Sequence, residues 1–110
     1  MKSVKEYFIN SVGKGKVFIS QPMSGKTTEI IRSEREDLVN DLVNKGYTVV
    51  NSILPEEPEN CNSALWCLGE SIKILATSDY AYFMDGWKSA RGCKIEHDCC
   101  VQYNVKIMKD

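Results

Sequence analysis

Hydrophobic positions along this chain alternate between two periods. Lys16 to Ser20, Tyr47 to Asn51, Tyr80 to Met84 and Val105 to Met108 are short runs rich in apolar and β-branched residues, as expected of buried strands. Between them the apolar positions recur every three or four residues. Ile30, Ile31, Leu38, Val39, Leu42 and Val43 share one face of a helix that opens at Thr27 or Thr28, either of which can cap it. Arg32 to Asp37 is its wet stretch, and Gly46 is its stop. A second helix is predicted over about 64–77, with Leu65, Leu68, Ile72, Leu75 and Ala76 on one side. A third runs from about Gly92 to Tyr103.

Ile53 to Asn62 carries two prolines among acidic residues and reads as irregular chain. Residues 1–15 form an N-terminal extension in which Val4, Phe8, Ile9 and Val12 share a helical face that Gly13 ends. Strands alternating with helices predict an α/β fold with right-handed crossovers. The expected architecture is a three-layer Rossmann-like or flavodoxin-like sandwich, one domain over 1–110. Its parallel sheet has about four strands in the order 2-1-3-4. In that topology the loops after the first strand (Ser20 to Lys26) and the third (Asp85 to Arg91) flank the switch point, where open α/β sheets bind ligands.

Composition narrows the function classes. Fourteen basic and fifteen acidic side chains in 110 residues give a formal net charge of -1 with no long run of either sign, unlike the basic footprint of a nucleic-acid polymer binder. The apolar stretches are strand-sized and the N-terminus lacks a signal-peptide core, so no membrane span and a cytoplasmic location are expected. Cys61, Cys67, Cys93, Cys99 and Cys100 are odd in number and form no paired C-x-x-C units, which favours reduced thiols. Cys93, His97 and Cys99 or Cys100 stand at helical spacing for zinc, but no fourth ligand is evident. Small apolar packing is the other account of these cysteines.

The chemistry-bearing stretch is Asp85 to His97. Glu96, four residues past Gly92, is expected in the first turn of the third helix, where the helix dipole favours an ionised carboxylate. Such a group suits attack on an anomeric carbon; the alternative is a surface residue paired with Lys94. Arg91 and Ser89, with nearby helix N–H groups, suit an anionic substrate group, and Trp87 suits either a base-stacking wall or simple packing. His97 reads as a satisfied helix histidine. Glu29, Glu34, Glu36 and Glu70 read as solvated charge. Ser20 to Thr27 ends in G-K-T like a P-loop, but Ser20 stands in place of the first glycine and Pro22 removes a backbone N–H.

Two segments carry a family resemblance. V-F-I-S-Q-P-M-S-G-K-T (17–27) and W-C-L-G-E-S-I-K-I-L-A-T-S-D-Y-A-Y-F-M-D-G-W-K-S-A-R-G-C-K-I-E-H (66–97) resemble signatures of small phage and bacterial proteins similar to the nucleoside 2-deoxyribosyltransferase superfamily. The resemblance implies a nucleoside or nucleotide N-glycosidase or deoxyribosyltransferase in which Glu96 attacks C1′, with no cofactor and no metal. It implies that Ser20, Gln21, Pro22, Met23 and Gly25 line the sugar and base site, beside Asp85, Gly86 and Trp87. Ser89, Arg91 and Gly92 would hold the 5′ end, with or without a phosphate, and the chain would be a homo-oligomer. Two positions depart from the family pattern. Phe18 stands where active members often carry a tyrosine, and Ser71 where they carry an aspartate that protonates the leaving base; Asp85 is a candidate substitute. Loss of a general acid costs on the order of 10²–10⁴-fold in rate. A nucleotide-binding module without chemistry is the alternative, and a degenerate P-loop protein the more distant one.

Overall fold

Alternation along one strand divides the molecule into its layers. In the computed structural model, which describes residues 13–50 and 55–110, strand β1 (Lys16–Ser20) lies between β2 (Thr48–Val49) and β3 (Tyr80–Phe83), and β4 (Lys106–Lys109) completes the edge. All pairings are parallel and the order is 2-1-3-4, as the alternating pattern predicts. Val17 and Ile19 point to one face and pack with Leu42 of helix α1 (Thr28–Asn44). Phe18, Ala81 and Phe83 point to the other. There they pack with Leu75 of α2 (Ser63–Leu75) and Cys100 of α3 (Arg91–Gln102). One helix on one face and two on the other make the three-layer sandwich.

The local signals explain where each helix begins and ends. Thr27 caps α1, its hydroxyl accepting from the Ile30 N–H at 3.2 Å. At the other end Tyr47 N–H donates to Leu42 and Gly46 N–H to Val43, the paired bonds of a Schellman stop. Gly46 sits at φ 97°, a left-handed conformation that glycine adopts without steric cost. Asn62 caps α2 through the Leu65 N–H. Helix α3 follows Ala90, with no side-chain cap.

The differences from expectation are at edges. The second strand is only two residues long, although Val50 N–H still reaches Val17 O. Asn51, predicted to end it, lies outside the described residues, as does the helical face of Val4, Phe8, Ile9 and Val12. The last strand starts at Lys106 and not at Val105, and Met108 is passed over in its pairing with β3, since Ala81 faces Ile107 and Tyr82 faces Lys109. Within α1 only Leu42 is buried; Ile30 and Val43, assigned to its apolar face, are exposed.

Phe83 is the largest fully buried side chain among the described residues, so its loss removes contacts that no neighbour can restore. Phe83→Ala is expected to cost about 3–5 kcal/mol in urea unfolding. Tyr103→Ala, at 80% exposure, should stay within about 0.5 kcal/mol of the parent.

Candidate functional site

The sheet brings Ser20 and Glu96 together across 76 positions of sequence. Ser20 ends β1 on the α3 side, two residues beyond Phe18, and its backbone is held in the ladder beside Phe83. Its hydroxyl donates to Glu96 Oε1 at 2.7 Å, and both residues are buried. The second carboxylate oxygen, Oε2, has no hydrogen-bond partner, and the one buried side-chain polar atom without a partner among the described residues is Gln21 Oε1.

The structure corrects the electrostatic expectation for Glu96. Helix α3 starts at Arg91, so Glu96 is its sixth residue and its first turn has no acidic group. The dipole effect falls off within that first turn. Burial dominates instead and pushes the Glu96 carboxyl above the ordinary 4.5, opposed by the Ser20 hydrogen bond. Cys93, Glu96 and Cys100 are the three buried residues of α3. Burial also raises the Cys93 thiol, with the Ser20 hydroxyl acting the other way and Glu96 adding to the rise. Burial, Cys99 and Glu96 push Cys100 up to about 11, so both thiols are neutral packing groups near neutral pH.

The loops after β1 and β3 touch, as the topology predicts. A side chain built onto Gly86, whose φ is 92°, would stand 3.6 Å from Pro22 Cγ. Pro22 is buried. Gln21 is also buried, its Nε2 donating to Ile31 O of α1 at 2.8 Å, which ties this loop to the helix. Met23 and Gly25 are exposed at the loop's tip. Phe18 is a core residue beneath α2 and α3, and Ser71 is half-buried on α2.

Several expected partners have other engagements. Trp87, in a short 3-10 turn (Trp87–Ser89), stacks on His97 with ring centroids 4.1 Å apart and leans on Phe83. One indole face is thus occupied. His97 Nε2 lies 3.0 Å from Asp110 Oδ2, so the histidine is satisfied as read. Asp85 is an exposed carboxylate paired with Lys109 at 2.9 Å, and that hydrogen bond and charge hold its titration below the usual value. An ionised Asp85 is a poor proton donor. Ser89 and Arg91 are exposed and Gly92 is half-buried, all at the uncapped start of α3. Lys26 turns to Glu34 of α1 at 3.0 Å, and Thr27 is occupied as a helix cap; neither is free to serve a phosphate cradle. No group of three or more His, Cys, Asp or Glu side chains that could hold a metal ion is present among the described residues.

Two cavities open at this edge. One of about 180 Å³ is lined by Lys26, Glu34, Leu38, Tyr82, Met84, Asp85 and Lys109, on the α1 side. The other, about 310 Å³, lies between Asp85, Gly86, Trp87, Lys88 and Asp110. Glu96 lines neither. Two contributions escape the sequence reading. Glu70, read as solvated, keeps only 17% of its side chain exposed, beside Lys73. Cys93 sits in the immediate surroundings of Ser20 and Glu96, which its spacing of three from Glu96 on one helix makes legible.

The raised carboxyl gives a stability prediction with a definite sign. Below pH 4.5 Glu96 is protonated in the folded and unfolded states alike. As pH rises through the higher folded value, the unfolded chain already carries the charge while the folded one resists it, so stability falls. Urea midpoints of the parent should drop between pH 4.5 and pH 8 more than those of Glu96→Gln, which removes this titration. An equal drop in both would show that Glu96 is not perturbed by burial.

No helix among the described residues is long and apolar enough to cross a membrane. A search of curated proteins gives no match. Residues 15–109, most of the chain and all four strands, match the family described as Domain of unknown function (DUF4406); the chain belongs to that family.

Proposed function

We propose that this protein binds a nucleoside or nucleotide at the carboxyl edge of β1 and β3 and cleaves its N-glycosidic bond with Glu96 as nucleophile. The observation that carries the reading is the buried Glu96, held through Oε1 by Ser20 at the carboxyl end of β1. Oε2 attacks C1′, and the C1′–N bond breaks with its electron pair leaving on the base. Water or a second base then attacks C1′ and returns the carboxylate. The resemblance to nucleoside 2-deoxyribosyltransferases supports this step. The exposed Ser89 and Arg91 beside the uncapped start of α3 suit a 5′-phosphate, because free N–H groups and a guanidinium favour an anion there. Five free cysteines fit a cytoplasmic setting.

The second reading, a nucleotide-binding module without turnover, is favoured by one specific arrangement. Phe18 is sealed in the core, Ser71 cannot donate as a carboxylic acid does, and Asp85 is held ionised by Lys109. Base departure then lacks a strong acid. Self-association belongs to the same family reading, and α2 supplies a surface for it: of its thirteen residues only Leu75 is buried, while Leu65 is 64% exposed. Sedimentation should show an oligomer that Leu65→Glu dissociates; a monomeric parent removes this part.

The full chain incubated with deoxyribo- and ribonucleosides and their 5′-monophosphates should release free base, seen by chromatography, and Glu96→Gln should abolish the release. The binding module predicts instead thermal stabilisation by a nucleotide that persists in Glu96→Gln without product. Ligand at 100 times its Kd stabilises by about 2.7 kcal/mol. Neither product nor stabilisation across the panel defeats both readings.

A further inference from the structure

The hydroxyl of Ser20 has one proton, and the fold fixes where it goes. Ser20 is 1% exposed, and its backbone carbonyl accepts from Met84 N–H at 3.0 Å, so the β1–β3 ladder holds the residue in place. From that anchor Oγ reaches Glu96 Oε1 at 2.7 Å, a well-formed hydroxyl hydrogen bond. We propose that Ser20 is the positioning residue of Glu96: it clamps Oε1 and so fixes the orientation of the carboxylate, leaving Oε2 as the oxygen that reacts. The proposal rests on Glu96 being the reacting carboxylate, and it adds the group that orients it.

The surroundings leave Ser20 alone in this role. On α3 itself, the neutral thiols of Cys93 and Cys100 flank Glu96 and favour its uncharged form through burial. His97, next in sequence, is directed to Trp87 and Asp110. From the sheet, β3 offers the apolar Phe83 beside Ser20. Among the described residues no lysine or arginine makes an ion pair with Glu96, and the one group acting to keep its charge is the Ser20 hydroxyl. A carboxylate on a helix has free rotation about its outer bonds, and a single fixed donor removes it. Phe18, one step earlier on the same strand face, provides no hydroxyl; Ser20 provides one from a site nearer the strand's carboxyl end.

The test separates this role from turnover. Full-length protein carrying ¹³C at glutamate Cδ is titrated by NMR, the Glu96 resonance being assigned by its loss in Glu96→Gln. In Ser20→Ala the midpoint should move to higher pH, because the bond favouring the charged form is gone. Ser20→Thr, which keeps the hydroxyl, should restore it toward the parent value. On any nucleoside the parent turns over, Ser20→Ala should lower kcat about 10- to 100-fold with KM little changed, and shift the acid limb of the rate profile upward. An unmoved Glu96 midpoint in Ser20→Ala overturns the proposal, as does a Ser20→Thr variant indistinguishable from Ser20→Ala. A shifted midpoint in a protein that releases no base leaves the clamp standing and removes only the nucleophile reading.

Discussion

Side chains of successive strand residues point to opposite faces, and on β1 that rule fixes almost everything else. Val17 and Ile19 on one face and Phe18 and Ser20 on the other are all buried, so β1 must be covered by helices on both sides. The two half-cores on either side of it are separate clusters, one reaching Leu42 and the other Leu75 and Cys100. A one-residue slip of β1 would put Ser20 on the α1 side and an apolar side chain against Glu96. The register with β3, from Val17 with Tyr80 to Ser20 with Phe83, is therefore a constraint on the site as much as on the core.

A hydroxyl as the last inward residue of such a strand is costly unless it is bonded, and so is a carboxyl on the inward face of a helix. The two satisfy each other. One neutral donor does not repay the desolvation of a carboxylate, which is why the net effect on Glu96 remains upward. Apolar residues at both positions would pack with less penalty. A paired polar group retained at this cost, at the carboxyl edge of a parallel sheet, is the kind of perturbed group that clusters at functional sites. Fold stability alone gives no reason for it.

The layer order was legible because each strand is a compact apolar run and each helix repeats at the helical period. Chain ends of elements were less so. The second strand, predicted from Tyr47 to Asn51, pairs with β1 over Thr48–Val49. Glu96 was expected in the first turn or on the surface, yet Cys93, Glu96 and Cys100 fall at i, i+3 and i+7, an inward stripe on which a helix-dipole argument has no purchase. What sequence spacing does not contain is the approach of separate elements. The bond from Ser20 needs the β1 register and the rotation of α3 together. Trp87 stacks on His97 only because the Gly86 turn folds it back over α3, and Asp85 is paired because β4 delivers Lys109 beside it.

These engagements sort the edge into a rigid part and an open part. Gln21 is tied to α1, Pro22 meets the Gly86 turn, and Trp87 is pinned between Phe83 and His97. Met23 and Gly25 at the tip of the first loop, Ser89 in the 3-10 turn and Arg91 at the start of α3 are exposed. Glu96 is buried, with one oxygen held by Ser20. A ligand approaching this edge would meet adaptable side chains first and the fixed carboxylate last. Precision in such an arrangement comes from the strand and helix that hold Ser20 and Glu96, and selectivity from the loop tips, so substitutions in the two places should affect different steps of recognition.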